Sequence, residues 1–144
     1  MHTSKHITIW TIGHSNRSIP EFVSLLKEHR ITLVCDVRSF PTSKVEHFRR
    51  ERMEEWLPRV GIRYVWLGES LGGYRSGGYV NWMKTEMFKQ GISDLIKLAK
   101  KNNVCIMCME VDPRYCHRRH ISRYLQQMGV KVTHIIKRGQ TVLG

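Results

Sequence analysis

The sequence has few acidic residues and no long apolar segment, and both shortages limit what the protein can be. Twelve aspartates and glutamates stand against 24 lysines and arginines, which gives a formal net charge of +12 over 144 residues. A surplus of this size favours an anionic partner, above all nucleic acid, over a basic surface that is merely well solvated. No apolar run approaches the roughly 18 residues of a membrane span, and no basic amphipathic helix stands out. We therefore expect no membrane partner.

Cysteine is also scarce, and the start of the chain lacks the layout of a signal peptide. Four cysteines in this setting are typical of reduced thiols in a cytoplasmic protein. The hydrophobic fraction of 41% and the charged fraction of 25% are ordinary for a globular protein. Residues 1–144 are therefore expected to form a single domain. The sequence does not specify an oligomeric state.

Strand and helix patterns alternate along the chain. Helices are predicted from a capping box at Ser18 and Glu21, around 53–60 with Gly61 as its end, over about 81–101, and after Cys116. The predicted strands cover 7–12, 31–37, 62–67, 104–109, 130–136 and, in a short final piece, 141–143. This alternation predicts a single Rossmann-like three-layer α/β domain, with a mostly parallel sheet of about five strands and helices on both faces.

Polar clusters follow the ends of four predicted strands. In a parallel α/β sheet, ligands bind at the carboxyl ends of the strands, so we expect these clusters to meet on one rim. The clusters are 14–17, 36–39, Glu69 and 110–118.

The densest cluster is the segment 108–120, which holds two thiols, two carboxylates, two imidazoles and three guanidinium groups. Its helix carries an apolar stripe, and this stripe turns Cys116, His117 and Arg118 toward the sheet edge where Glu110 emerges. A helix N-terminus there would favour an anion or a thiolate. We regard this segment as the strongest candidate site.

The carboxylates and histidines of the rim each admit two interpretations. Asp36 ends an apolar strand, so it is either the buried partner of Arg38 or a catalytic carboxylate. Glu110 presents the same choice, and the two carboxylates could divide the acid and base roles. His14 is either a loop hydrogen bonder or a proton shuttle, and His117 is a second candidate shuttle.

The cysteines do not predict a metal site. Cys105 and Cys108 are three residues apart on a strand and so face opposite sides, which leaves too few ligands for a closed zinc site. A sulfurtransferase cradle of the Cys-x5-Arg kind would need arginine where Ser122 stands. We expect no metal and no cofactor, and Cys108 and Cys116 are either packed thiols or a labile disulfide.

The segment 72–79, followed by Trp82, interleaves glycine, aromatic and basic residues. It could stack bases, at roughly 1–3 kcal/mol for each base, or it could be a surface loop with its tyrosines packed down. Lys44 is a phosphate contact, a Schiff-base amine or a solvated side chain. The expected contacts to nucleic acid are Asn16, Arg17, Arg38, Ser39, Lys44, Tyr74, Arg75, Tyr79, Trp82 and Arg118.

Several short motifs, taken in order, resemble the family catalogued as domain of unknown function 488. They are Thr-Ile-Gly-His-Ser-Asn at 11–16, Asp-Val-Arg-Ser-Phe-Pro at 36–41, Gly-Ile-Arg-Tyr at 61–64 with Leu-Gly-Gly at 71–73, and Cys-Met-Glu at 108–110 with Cys-His-Arg at 116–118. The resemblance implies a compact α/β fold and makes nucleic-acid processing the expected activity.

Charge, rim and resemblance together predict an enzyme that acts on nucleic acid, DNA rather than RNA. The expected reaction is hydrolysis or elimination at a damaged or modified base after the base has left the stack, as in a glycosylase or lyase. Its predicted catalytic residues are Asp36, Glu110, His14 and His117. A basic nucleic-acid-binding module without catalysis, and a small-molecule α/β enzyme that uses the same rim, remain the alternatives.

Overall fold

A computed structural model describes residues 7–144 and confirms the predicted α/β architecture. A single six-stranded sheet has the order β3-β2-β4-β1-β5-β6, in which the first five strands are parallel and β6 pairs antiparallel with β5. The strands are β1 (Thr8–Gly13), β2 (Leu33–Asp36), β3 (Arg63–Trp66), β4 (Val104–Cys108), β5 (Lys131–Lys137) and β6 (Gln140–Leu143).

Helices cover both faces of the sheet, so the domain has three layers. One core cluster joins α1 and α2 to the sheet, and the other joins α3, α5 and α6 to its opposite face. The α-helices are α1 (Ile19–Glu28), α2 (Arg50–Arg59), α3 (Gly68–Leu71), α4 (Tyr79–Trp82), α5 (Glu86–Ala99) and α6 (Arg118–Gln127). Within residues 7–144, no helix is long and apolar enough to cross a membrane.

Three local predictions need correction. The helix expected over about 81–101 is two helices, α4 and α5, because the Thr85 side chain caps α5 by accepting from the Phe88 N–H. The irregular segment 68–79 contains the single turn α3. Ser18 caps α1 as predicted, but the Glu21 carboxylate accepts from Arg17 and does not complete the capping box.

Strand alternation distributes the three cysteines on strands between the two faces of the sheet. Cys105 lies in the core beneath α1 and α2, whereas Cys108 lies in the core beneath α5 and α6, so the predicted opposition of these two side chains is confirmed. Cys35 shares the face of Cys108 and is fully buried.

The sheet order brings the ends of β1, β2 and β4 side by side. The pairing continues past the strands, because His14 N–H donates to the Cys108 carbonyl at 2.8 Å and Val37 N–H donates to the Met107 carbonyl at 3.1 Å. The loops that follow these strands therefore start next to one another. This is the predicted rim.

Gly13 allows the backbone after β4 to approach β1 closely. A Cβ atom at Gly13 would overlap the carbonyl group of Glu110, although the Gly13 φ lies outside the left-handed region. The constraint is therefore one of space and not of backbone conformation. It fixes the backbone of Glu110 against the end of β1.

We expect Gly13→Ala to reduce the free energy of unfolding by about 2 kcal/mol or more, because the overlap forces the two chains apart. Gly139→Ala is the matched control, since Gly139 has open space but a φ of +70°, and its expected cost is about 1 kcal/mol. Urea unfolding of both variants measures the difference. A loss below about 0.5 kcal/mol for Gly13→Ala, the range of an ordinary surface substitution, would show that the close approach at Gly13 has no energetic consequence.

Candidate active-site cleft

A cleft of about 330 Å³ opens at the carboxyl ends of β2 and β4. Seven of the 16 predicted site residues line it, among them Glu110 and His117, whereas the predicted catalytic residues Asp36 and His14 do not. The lining consists of Arg38, Ser39, Phe40, Thr42, Gly73, Tyr74, Cys108, Met109, Glu110, Tyr115, Cys116 and His117.

Asp36 lies behind this lining and is fully buried. Its Oδ1 accepts from the Arg38 backbone N–H at 3.0 Å and from Arg38 Nε at 2.9 Å. Its Oδ2 accepts from Arg38 Nη2 at 2.7 Å and from the Tyr64 hydroxyl. Both oxygens are therefore occupied, by a bidentate ion pair with Arg38 and by the Tyr64 hydroxyl. Of the two interpretations of Asp36, the structure shows the buried partner of Arg38.

Arg38 connects Asp36 to His14 and to the cleft. All five of its guanidinium N–H donors have partners, because Nη1 donates to His14 Nε2 at 3.2 Å and to the Thr42 carbonyl at 3.2 Å, and Nη2 also contacts Met53 Sδ. Arg38 therefore brings positive charge to the cleft without a free donor for a phosphate.

His14 is buried and also does not line the cleft. Its Nδ1 donates to the Ser15 carbonyl at 2.9 Å, its Nε2 accepts from Arg38, and its ring stacks on Phe48 with centroids 4.6 Å apart. Burial, opposed by the bond to Ser15, lowers the pKa of His14 to about 4. The imidazole is neutral and fixed in one tautomer.

Arg118 is the largest fully buried side chain in the described part of the chain. Its Nη1 donates to Cys108 Sγ at 2.9 Å and to the Glu110 carbonyl at 2.6 Å, and its Nη2 donates to the Val111 carbonyl at 2.7 Å. No carboxylate of residues 7–144 pairs with it. The ionisable group in contact with this buried charge is the Cys108 thiol.

Cys108 and Cys116 both line the cleft, and Arg118 donates to both sulfurs, from Nη1 to Cys108 at 2.9 Å and from its backbone N–H to Cys116 at 3.5 Å. Burial raises the pKa of Cys108, but the neighbouring Cys116 and the charge and hydrogen bond of Arg118 together outweigh burial and lower it. The pKa of Cys116 is raised by the neighbouring Cys108 and by burial. The pair therefore favours a thiolate on Cys108 and a thiol on Cys116.

His117 lies beside this pair. Its Nε2 donates to the Val37 carbonyl at 2.9 Å, which leaves the lone pair of Nδ1 facing Cys116 Sγ at 3.7 Å. Burial lowers the pKa of His117 to about 4. A neutral imidazole with a free acceptor therefore faces the Cys116 thiol.

Glu110 supplies a carboxylate to the cleft. Its backbone carbonyl is bound by Arg118, but its side chain forms no hydrogen bond or ion pair and is half-buried. Of the two interpretations of Glu110, the structure does not show the one in which it pairs with a neighbouring cation, because Arg118 and His117 donate to other groups. The carboxylate is therefore available to a ligand.

Exposed aromatic and apolar side chains form the mouth of the cleft. Phe40 is 69% exposed, Tyr74 90% and Tyr115 71%, and Met109 lies among them. The rings of Phe40 and Tyr74 are 6.1 Å apart, and Tyr74 adopts a φ of +58°. Four large side chains exposed around one cavity are typical of a ligand-binding surface. We call them the aromatic mouth.

The structure packs other predicted contact residues against the protein itself. Tyr79 donates to the Leu71 carbonyl, Trp82 donates to the Ser70 carbonyl, and Arg75 stacks on Trp82 and binds the carbonyls of Gly68, Glu69 and Gly72. The Arg17 guanidinium donates to the backbone carbonyls of Gly13 and Ile136. The stacking role expected of Tyr79 and Trp82 is thus replaced by packing. Asn16 and Lys44 are exposed outside the cleft lining.

Sequence reasoning missed Phe40, Tyr115 and Met109 at the mouth, and Tyr64 as a partner of Asp36. A signal existed for Phe40, because it lies in the motif 36–41 immediately after Arg38 and Ser39. The Ser39 hydroxyl donates to the Gly73 carbonyl, and this bond joins the loop after β2 to the segment 72–79. Among residues 7–144, no group of three His, Cys, Asp or Glu side chains is arranged to hold a metal ion.

The family model for domain of unknown function DUF488 matches residues 18–125, three quarters of the chain, and the protein belongs to this family. The matched range contains the motifs at 36–41, 61–64, 71–73, 108–110 and 116–118, whereas 11–16 precedes it. Comparison with curated proteins and comparison with solved structures each gave no significant match.

We expect Asp36→Asn to lower the free energy of unfolding by about 3–5 kcal/mol, because it leaves the Arg38 guanidinium without its counter-charge in a buried position. Tyr64→Phe removes only one hydrogen bond to Asp36 and should cost about 1 kcal/mol. Denaturant unfolding measures both. The exposed pair Arg50 and Glu54 provides the control, in which Glu54→Gln should cost less than about 1 kcal/mol. A loss for Asp36→Asn as small as the control would contradict the structural role of the ion pair.

The histidines predict a pH dependence of stability. Burial lowers the pKa of His14, His117 and His134 to about 4, whereas an unfolded histidine titrates near pH 6.5. The unfolded chain therefore binds more protons between these values, and the free energy of unfolding must decrease as the pH falls from about 6.5 toward 4.

The expected slope is up to about 1.4 kcal/mol per pH unit for each of the three histidines. Urea unfolding between pH 6.5 and 5 measures it, and a variant that lacks one of the three imidazoles should show a smaller slope. Stability that stays constant over this range would show that the buried imidazoles are not held neutral.

Proposed function

We propose that the protein is an enzyme that acts on nucleic acid and that takes a single unstacked base into the cleft. The observation that carries this proposal is the aromatic mouth, which surrounds a cavity with a free carboxylate in a chain of net charge +12. DNA is the preferred substrate class, and a modified base is the expected target.

The aromatic mouth supports base binding. Phe40, Tyr74 and Tyr115 expose ring surface to solvent, which is unfavourable unless a ligand covers it. Every base has a flat face, so stacking on such rings binds single-stranded nucleic acid without regard to sequence. The surplus of positive charge attracts the phosphate backbone over a longer range.

Glu110 is the group that we assign to proton transfer. Its carboxylate lines the cavity and has no partner in the protein, so it can accept a proton from water or donate one to a leaving base. Asp36 and His14 are committed to Arg38, and we assign them to positioning this arginine.

The test uses labelled single-stranded DNA and RNA oligonucleotides that each carry one modified base. Wild-type protein should convert at least one of them to an abasic or cleaved product. Glu110→Gln should slow this reaction by about a hundredfold or more, because proton transfer contributes that much to such reactions. Since Arg118 binds the backbone and not the side chain of Glu110, the variant should fold and bind as wild type.

Binding is measured on the same oligonucleotides. Tyr74→Ala should weaken it by about 1–3 kcal/mol, the value of one stacked base. Leu143→Ala is the control, because Leu143 is 71% exposed, as Tyr115 is, but lies on β6 at the far edge of the sheet. Binding without product over the whole panel would contradict catalysis and leave a binding module. The absence of binding at low salt would remove nucleic acid from the proposal.

A further inference from the structure

We propose that Cys108 and Cys116 form a thiol–disulfide exchange site at the floor of the cleft, in which Cys108 is the nucleophile and Cys116 the resolving thiol. The substrate class is a small disulfide, or a thiol on the return reaction. This inference does not depend on the action on nucleic acid, since it rests on the two thiols, Arg118 and His117.

The first support is the environment of Arg118. A fully buried guanidinium requires a negative partner or a complete set of acceptors. Its Nη atoms reach two carbonyls and Cys108 Sγ, while its Nε has no acceptor. Nη1 lies 2.9 Å from the sulfur, so the guanidinium is in direct hydrogen-bond contact with Cys108. A thiolate on Cys108 supplies the charge that the carbonyls cannot.

The second support is the neighbouring thiol. Cys116 lines the same cleft as Cys108, and the Arg118 backbone N–H donates to Cys116 Sγ at 3.5 Å while Arg118 Nη1 donates to Cys108 Sγ. One residue at the start of α6 thus contacts both sulfurs. A stabilised thiolate next to a protonated thiol is the arrangement of a nucleophilic and a resolving cysteine.

The third support is His117, which provides a place for the proton. Val37 fixes the tautomer of this imidazole, so Nδ1 can accept the proton of Cys116 at the moment when Cys116 must attack. Gly73 packs closely on the ring, because a Cβ atom added at this glycine would lie only 3.1 Å from Nδ1. This packing holds the ring in place.

The reaction balances in two steps. The Cys108 thiolate attacks one sulfur of the small disulfide, forms a mixed disulfide and releases one thiolate. Cys116 then gives its proton to His117 and attacks Cys108 Sγ, which forms the Cys108–Cys116 bond and releases the second thiolate. The protein is oxidised by two electrons, the small disulfide is reduced, and the proton passes from His117 to solvent or to the released thiolate.

The chain contains its own control thiols. Cys35 and Cys105 are fully buried in the two cores, and burial raises the pKa of each thiol. Neither lines the cleft. If reactivity depended only on the presence of a cysteine, Cys35 and Cys105 would react as readily as Cys108 and Cys116.

The test treats the folded protein with oxidised glutathione and identifies the products by mass spectrometry of the intact chain and its peptides. Wild type should lose two hydrogens and gain one Cys108–Cys116 disulfide, without a lasting adduct. Cys116→Ser should retain one glutathione on Cys108. Cys108→Ser should react no faster than the control thiols.

Alkylation of wild type by iodoacetamide at pH 7 gives a second measurement that needs no variant to fold. Cys108 should be modified at least about tenfold faster than Cys35 and Cys105, because only its thiolate is populated at this pH. Equal rates for these three thiols would overturn the proposal. A glutathione adduct that forms on Cys116 in Cys108→Ser as fast as wild type reacts would also overturn it. Exchange with glutathione in wild type that yields no product on the oligonucleotides would support this proposal and contradict the proposed function, so the two can fail separately.

Discussion

The arrangement of the cleft depends on one buried positive charge. Arg118 is the first residue of α6 and is fully buried. Its guanidinium donates to Cys108 on β4 and to the carbonyls of Glu110 and Val111. A guanidinium in this position is expensive unless its neighbours are fixed around it. It therefore determines the path of the chain from β4 to α6, and with it the positions of Glu110, Cys116 and His117.

A second charge fixes the opposite side of the cleft. Arg38 forms hydrogen bonds with Asp36, His14 and Thr42, and these bonds hold the loop that follows β2. His117 connects the two halves through the Val37 carbonyl. Two buried arginines, one paired with a carboxylate and one with a thiol, thus frame a single cavity. Because rigid side chains hold the reactive ones, little reorganisation is needed when a ligand enters.

The sequence predicts the sheet and the location of the site well, and the partners inside the site less well. The spacing of apolar residues and the residues that begin or end a helix are local features of the sequence. They are sufficient to predict the strands, the helix cap at Ser18 and the inward direction of Arg118. The break at Thr85 was missed because the apolar spacing of α5 continues through residues that could equally extend a helix. Tyr79 and Trp82 have the same composition signal whether they stack on a base or pack inward. Only the fold shows that the carbonyls of α3 receive their polar atoms.

The choice of partner was the least predictable feature for a physical reason. An arginine can pair with a carboxylate, a phosphate or a thiol, and which of them Arg118 contacts depends on the tertiary packing of α6 against the end of β4. Glu110 is released from pairing because its backbone, not its side chain, receives the arginine.

The most direct test of this account is a thiolate titration of the native protein by ultraviolet absorbance, from pH 5 to 10, in wild type and Cys108→Ser. The account predicts an absorbance step in wild type whose midpoint lies clearly below the value of about 8.5 for a free cysteine, and which is absent from the variant. A wild-type protein with no step below that value would show that Arg118 is buried without a thiolate. The charge balance on which the cleft depends would then be wrong.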